Sequence, residues 1–246
     1  MKNELLSNSL EESYLAYLEE GPRRRAKLEP LHRCIAGAVQ VALGSGFSVR
    51  HLSAEGGEAK IEGAFAEKSV DVAIFKGDKP VAGIAVKFVT SNYKQNAVNY
   101  FEQLVGETFN MRSKGLLYAQ AFISKHPVPY LKRDGTVEKI EYFSATNLEK
   151  FQNLMRLGDK SPGVPNALFV FLTDTGDLAV FESLKDSKKD YKKNIDRLKE
   201  AVQVSDSETA EILNLTPELE EFYERHSYFG RFIEEFVDKI KAKHPD

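Results

Sequence analysis

Apolar residues follow a helical period in the N-terminal part of the chain. Over residues 4–20 they recur at helical spacing until the breaker pair Gly21-Pro22. A second helical pattern covers residues 24–43, with a possible start at Pro30, and it ends at Gly44-Ser45-Gly46. We therefore predict that two helices open the fold and that the first braces the domain.

After the second helix, the pattern changes to the alternating or continuously apolar runs that are typical of strands. Three such runs cover Lys60–Phe65, Ser69–Phe75 and Val81–Phe88. The segment Lys76–Pro80 favours a tight turn, which makes the second and third strands antiparallel. A long helix over Ser91–Arg112 is predicted to follow this three-stranded meander.

The second half of the chain predicts both strands and helices. Its elements are strands over Leu116–Ser124 and Ala167–Leu172, a hairpin turn at Lys132–Gly135, a helix over Thr146–Met155, helices from Tyr191 onward, and a final aromatic-rich helix capped by Thr216. The whole pattern predicts an α/β fold with a central mixed β-sheet flanked by helices. We expect an N-terminal brace (1–22), a core domain (23–190) and a helical C-terminal region (191–246) that packs on the core or forms a dimer contact.

Composition and charge exclude several classes of protein. With 34 Lys and Arg against 37 Asp and Glu, the net charge of -3 excludes a protein that coats nucleic acid by bulk charge. The basic run Arg23–Lys27 is either a local contact for a polyanion or the solvated start of a helix. The single cysteine, Cys34, allows no internal disulfide, and no Cys/His cluster has zinc-ligand spacing. No signal-peptide pattern or membrane span is present, so we predict a soluble, cytoplasmic protein.

Two charged residues interrupt otherwise apolar strands. Asp71 lies in the second predicted strand and Lys87 in the third. Because burying either charge alone is costly, each needs a partner or a metal. Side chains alternate along a strand, so positions 85 and 87 share a face that Asp71 also reaches if the two strands pair. The two residues predict either a catalytic cleft or a buried salt bridge without chemistry.

An Asp on one strand, a hairpin, a strand that carries the lysine and then a long helix resemble the PD-(D/E)xK superfamily of restriction-type nucleases. The resemblance covers residues 24–125, and the segment from Ser91 to Thr108 is similar to helices of uncharacterised members. It implies a restriction-endonuclease-like core and a Mg²⁺-dependent DNA endonuclease of the restriction or defence type. Asp71 would bind Mg²⁺, for which Mn²⁺ substitutes, and Lys87 would act on the attacking water and the phosphate. Cleavage of double-stranded DNA implies a homodimer.

Ala85 departs from this pattern, because the superfamily places Glu or Asp at that position and alanine cannot ligate a metal. Three explanations stay open. Ala85 is an engineered substitution that disables catalysis, or the carboxylate has moved to Glu102 or Glu107 of the following helix, or the chain is a naturally non-catalytic nucleic-acid-binding protein on the same fold. An α/β protein in which Asp71 and Lys87 form only a structural pair is a further alternative.

Weaker candidates surround the motif. Glu58 and Glu62 flank the first predicted strand and are further candidate metal ligands, as is Glu29 on the preceding helix. The predicted nucleic-acid contacts are polar residues early in the helix after Lys87 and, as alternatives to a solvated hairpin, basic and aromatic residues farther on: Lys94, Gln95, Asn96, Asn99, Lys125, His126, Tyr130, Lys132 and Arg133. No phosphate-binding glycine loop, dinucleotide fingerprint or Ser/Cys/His nucleophile motif is present.

Overall fold

Helices and strands alternate along the part of the chain that this computed structural model describes, which is residues 3–21, 25–52, 54, 57–206 and 214–245. The strands are β1 (Ser48–His51), β2 (Ala59–Glu62), β3 (Glu67–Val70), β4 (Val72–Lys76), β5 (Lys79–Val89), β6 (Leu117–Lys125), β7 (Val128–Leu131), β8 (Val137–Glu141), β9 (Ala167–Asp174) and β10 (Ser205–Asp206). The α-helices are α1 (Glu4–Glu20), α2 (Glu29–Leu43), α3 (Tyr93–Ser113), α4 (Ala145–Arg156), α5 (Leu178–Ser187), α6 (Ile195–Ala201), α7 (Pro217–His226) and α8 (Phe229–Lys243). Short 3-10 turns cover Arg25–Leu28 and Tyr191–Asn194.

A six-stranded mixed sheet in the order β1-β4-β5-β6-β9-β10 forms the centre of the fold. β1, β4 and β5 form an antiparallel meander, whereas β5, β6 and β9 run parallel to one another. β6 and β9 are buried along almost their whole length, because helices cover both faces of the sheet. The predicted α/β class with a mixed sheet flanked by helices is confirmed.

Alternate side chains of β9 enter two different hydrophobic cores. Phe169 and Phe171 of β9 belong to the core that α1, α2 and α8 cover, while Leu168 and Val170 belong to the core that α3, α4 and α7 cover. Phe236 of α8 is fully buried in the first of these cores. The aromatic face of the last helix therefore packs within the chain.

The predicted meander is wrong in its first strand. The first half of the segment Lys60–Phe65 lies in β2, which pairs with β3 in a separate two-stranded ribbon. The edge of the main sheet is β1, which the sequence pattern did not reveal because its residues alternate between exposed and half-buried without an apolar face. The predicted strand Ser69–Phe75 is interrupted at Asp71, where β3 ends and β4 begins on the next residue.

The C-terminal region also differs from the predicted single final helix. Thr216 caps α7 as expected, with its hydroxyl accepting a hydrogen bond from the backbone N–H of Leu219. The helix then ends at His226, and α8 begins at Phe229. Helix α5 was not predicted at all. Among the described residues, no helix combines the length and the apolar composition that a membrane crossing requires.

Candidate active site

Asp71 lies at the junction of β3 and β4, beside the centre of β5. Its Oδ2 atom accepts a 2.7 Å hydrogen bond from the backbone N–H of Val86. Gly83 makes room for the junction, since a Cβ at that position would come within 2.7 Å of Val70 Cγ1. Burial raises the pKa of Asp71 to about 6, although the Val86 N–H and the nearby Lys68 act in the opposite direction. A cation bound beside this carboxylate would therefore favour its ionised form.

Lys87 lies on β5, two residues beyond Ala85 and on the same face of the sheet. The side chain is exposed, and its Nζ atom lies 4.6 Å from the centroid of the Tyr100 ring. Partial burial lowers the pKa of the Lys87 ammonium, while the negative charges of Glu107 and Asp71 raise it. The ion pairs among the described residues do not include one between Asp71 and Lys87. The alternative of a structural salt bridge therefore has no support.

Helix α3 presents a polar stripe to these two residues. Tyr100, Gln103 and Glu107 recur at intervals of three and four residues, so they share one face of the helix. Glu107 Oε1 lies 2.8 Å from Lys68 Nζ, and its charge contributes to raising the pKa of Asp71. Glu102 is exposed on a different face and does not line the same cavity as Glu107. Of the two glutamates that the sequence suggested, only Glu107 faces Asp71 and Lys87.

Polar contacts hold α3 in this position. At its N-terminus, the carboxylate of the buried residue Glu141 accepts a 3.0 Å hydrogen bond from the backbone N–H of Lys94. Near its middle, Gln120 of β6 donates a 3.1 Å hydrogen bond to Thr108 Oγ1. Gln120 stands beside Ala85 in the parallel register of β5 and β6. The same residue therefore connects the helix to the strand that carries Lys87.

One open cavity of about 350 Å³ is lined by Asp71, Ala85, Lys87, Tyr100, Gln103, Glu107 and Gln120. Its charged walls comprise three ammonium groups, from Lys27, Lys68 and Lys87, and two carboxylates, from Asp71 and Glu107. Lys27 comes from the 3-10 turn before α2, and the positive charge of Lys87 contributes to lowering its pKa. A concave site with cations around a pair of carboxylates suits an anionic ligand that binds together with a metal.

Comparisons of the chain with protein-family models, with curated proteins and with solved structures find no match. Its chemistry must therefore be inferred from the cavity itself. Ala85 is buried in the cavity wall, directly beside the strand junction that carries Asp71. A carboxylate at position 85 would face the same space as Asp71 and Lys87, as the sequence pattern predicts for this position.

A second cluster joins Asp71 to His32 and Glu58, with one ligand atom from each residue within 4.8 Å of the others. His32 lies in the first turns of α2, Glu58 directly precedes β2, and Asp71 follows β3. His32 is 0% exposed, and neither ring nitrogen has a hydrogen-bond partner among the described residues. Burial lowers the pKa of His32 to about 4, so its imidazole is neutral at pH 7.

Sequence reasoning missed His32, because a lone histidine on an apolar helix face is usually structural. The available signal was its position one turn after Glu29, which is a candidate metal ligand on the same helix. Glu29 itself faces away and lies 3.6 Å from Arg33. Of the two predicted ligands on the first strand, Glu58 approaches Asp71, whereas Glu62 is exposed and lines a different pocket.

The predicted nucleic-acid contacts fall into two groups. Lys94, Gln95 and Asn99 are exposed on α3 outside the cavity, and Asn96 Nδ2 donates a 3.1 Å hydrogen bond to the Asn92 carbonyl. In the β7–β8 hairpin, residues 132 and 133 are exposed and residue 130 is half-buried.

Lys125 and His126 cannot serve as contacts in this structure, because they are 2% and 0% exposed. Helices cover both faces of β6, so the side chain of the lysine at its end is enclosed. Lys125 instead forms an ion pair with Asp177. The prediction that these two residues touch nucleic acid is therefore wrong.

Proposed function

We propose that the chain is a metal-dependent endonuclease that hydrolyses phosphodiester bonds of DNA, with Asp71, Lys87 and Glu107 as its catalytic residues. The observation that carries this proposal is the convergence of two carboxylates and a lysine, from three separate elements, on one open cavity. Hydrolysis of a phosphodiester needs metal ligands and a cation that stabilises charge on the phosphate. This cavity offers both.

The topology supports a restriction-endonuclease-like core. A helix, an antiparallel meander, a long helix and then a parallel strand follow one another in α2, β1-β4-β5, α3 and β6. The lysine lies on the third strand of that meander and the aspartate directly before the second. This is the order of elements on which the resemblance to the PD-(D/E)xK nucleases rests.

Asp71 and Glu107 fit a hard divalent cation such as Mg²⁺ or Mn²⁺, because carboxylate oxygens are the ligands that such ions prefer. When bound, the metal would lower the pKa of a water molecule and neutralise charge on the phosphate. The Lys87 ammonium stands at the cavity mouth, where it can bind a phosphate oxygen and orient the attacking water. Lys68 holds the Glu107 carboxylate at 2.8 Å and so keeps it directed into the cavity.

Glu107 also offers an explanation for the missing carboxylate at position 85. Since Glu107 lines the cavity and Glu102 does not, a carboxylate on α3 can replace the one that position 85 lacks. This arrangement favours a migrated carboxylate over an engineered loss of activity. The chain would then cleave DNA as it stands.

Cleavage of plasmid and oligonucleotide DNA with Mg²⁺ or Mn²⁺ tests the proposal. We expect cleavage by the chain with Ala85, and we expect Glu107→Gln to reduce the rate by about 10²–10³-fold, the effect of removing one group that stabilises the transition state. Glu102→Gln is the matched control on the same helix and should leave the rate unchanged. Equal losses in the two variants would contradict the role of Glu107.

Ala85→Glu separates the explanations for the alanine. If cleavage appears only in Ala85→Glu and disappears again when Lys87→Met is added, the site is that of a disabled nuclease and the carboxylate has not moved. If no variant cleaves DNA and none binds it, the nuclease proposal fails for the substrates tested.

A nucleic-acid-binding protein without catalysis is the second candidate. The ion pair between Glu107 and Lys68 favours this candidate, because the lysine offsets the negative charge with which Glu107 would bind a metal. DNA binding without cleavage in every variant, Ala85→Glu included, would establish it.

Cleavage of both strands by a nuclease would require two catalytic centres, so we expect a homodimer in sedimentation experiments with duplex DNA.

A further inference from the structure

The cluster of His32, Glu58 and Asp71 is chemically different from the cavity beside it. It adds a neutral imidazole to two carboxylates, and the three ligand atoms lie within 4.8 Å of one another. Neither His32 nor Glu58 lines the cavity that contains Lys87 and Glu107. Asp71 has two carboxylate oxygens and is the residue that both groups share.

The burial of His32 requires an explanation. A fully enclosed polar side chain whose ring nitrogens have no partner among the described residues loses its hydration without compensation. Such groups in folded proteins commonly accept an ion or a water.

We infer that His32, Glu58 and Asp71 form a second metal position, next to the one held by Asp71 and Glu107, which selects a first-row transition dication such as Mn²⁺. Imidazole nitrogen suits Zn²⁺, Fe²⁺ and similar transition ions, and carboxylates suit Mn²⁺, so this mixed ligand set favours a transition dication over Mg²⁺, which prefers oxygen and water. The inference extends the proposed function, and any role of this metal in cleavage depends on that function. Metal binding itself can be measured in the absence of cleavage.

The three ligands come from parts of the chain that the fold holds in separate ways. His32 lies on α2, which packs on the sheet through its buried neighbours Leu31 and Ile35. Glu58 precedes β2, and the β2–β3 ribbon leads directly to Asp71. The position therefore connects helix, ribbon and sheet, and a metal bound there would stabilise all three against unfolding.

Mn²⁺ binding to the full-length chain tests the inference by electron spin resonance. Echo-modulation spectra should show ¹⁴N coupling from an imidazole ligand, and His32→Leu should abolish this coupling. The same substitution should weaken Mn²⁺ binding at this position by at least about ten-fold, the scale seen even for changes outside the ligand shell. Glu107→Gln should leave the nitrogen coupling intact, since Glu107 belongs to the neighbouring position.

A matched pair of carboxylate variants keeps the test decisive if His32→Leu fails to fold. Glu58 and Glu62 stand at the two ends of the same short strand, but only Glu58 belongs to the cluster. We expect Glu58→Gln to weaken Mn²⁺ binding about ten-fold or more and Glu62→Gln to leave it unchanged, with thermal unfolding as the control for folding.

The inference is overturned if Mn²⁺ at saturation shows no nitrogen coupling in the unsubstituted chain, if the coupling persists in folded His32→Leu, or if Glu58→Gln and Glu62→Gln bind Mn²⁺ equally. None of these results depends on cleavage. Nitrogen coupling without DNA cleavage would support the metal position and contradict the nuclease. Cleavage that depends on Glu107, without nitrogen coupling, would support the nuclease and contradict the second metal position.

Discussion

Two lysines near the carboxyl ends of neighbouring parallel strands each have an aspartate nearby. Lys125 ends β6 and is 2% exposed, and its ammonium donates hydrogen bonds to Asp177 and, at 3.0 Å, to the hydroxyl of Tyr14. Asp177 also accepts hydrogen bonds from Tyr14 at 2.6 Å and from Thr175 at 2.7 Å. Lys87 on β5 is exposed, and its ion pairs among the described residues do not include Asp71. The first pair is enclosed and bonded on all sides, and the second faces an open cavity.

This difference separates charges that stabilise the fold from the charges that we propose act in catalysis. A buried pair whose hydrogen bonds are complete stabilises one arrangement of α1, β6 and α5, and no group is left over for a ligand. Asp71 and Lys87 in the cavity are partly desolvated and form no ion pair with each other, so a ligand or metal can supply the missing charge. The same two residue types therefore predict opposite responses to substitution.

The largest effect is expected from Asp177→Asn. The substitution leaves the Lys125 ammonium buried without a counter-charge, so the free energy of unfolding should fall by about 3–5 kcal/mol. Urea denaturation measures it. Asp186→Asn, on the exposed side of α5, is the control and should change the value by less than about 0.5 kcal/mol. Similar effects of the two substitutions would show that the Lys125 pair does not stabilise the fold.

Lys87→Met should have the contrasting effect. We expect the rate of DNA cleavage to fall by about 10²–10³-fold because the cation at the phosphate is lost. The free energy of unfolding should change by no more than about 0.5 kcal/mol, since the side chain is exposed. Lys79→Met, at the opposite end of β5, should affect neither quantity. A large loss of stability in Lys87→Met would place Lys87 with the structural pair.

Tyr14→Phe tests the part of the buried network that comes from α1. It removes a donor to the Asp177 carboxylate and an acceptor from Lys125, so the free energy of unfolding should fall by about 1.5–3 kcal/mol. Tyr17→Phe, on the neighbouring stacked ring, removes a 3.4 Å hydrogen bond to Ser91 and interactions with Thr90 and Tyr191, but none with a buried charge pair, so it should cost less. If the order of the two effects is reversed, the Lys125 network is not what holds α1.

Asp71→Asn should change the free energy of unfolding by a small amount, and in the opposite direction from Asp177→Asn. Burial raises the pKa of Asp71 to about 6, so its ionised form destabilises the metal-free fold at pH 7. An asparagine oxygen can still accept the hydrogen bond from Val86. We expect a gain of about 1 kcal/mol in the presence of a chelator, measured by urea denaturation. A loss of stability would mean that Asp71 has a counter-charge in the metal-free protein.

Much of the candidate site could be predicted from local sequence. Asp71 and Lys87 were recognisable because a charge inside an apolar strand has few explanations, and α3 was recognisable from its helical period. Glu107 rather than Glu102 followed from helix geometry only once the orientation of α3 against the sheet was known. His32 gave no local signal, because its significance depends on two carboxylates that reach it from β2 and β3.

The chain's periodicity by itself determined the α/β class, much of the succession of helices and strands, and the placement of Asp71 and Lys87 along two neighbouring apolar segments. These properties depend on side chains close together in sequence. Only the tertiary structure decided which charges are enclosed. Lys125 and Asp177 are 52 residues apart, and no period links them. The same holds for His32 and Asp71, which are brought together by the packing of α2 and the β2–β3 ribbon at one end of the sheet. Burial and partnership are properties of the packed chain, and they distinguish a structural lysine from the one that we propose is catalytic.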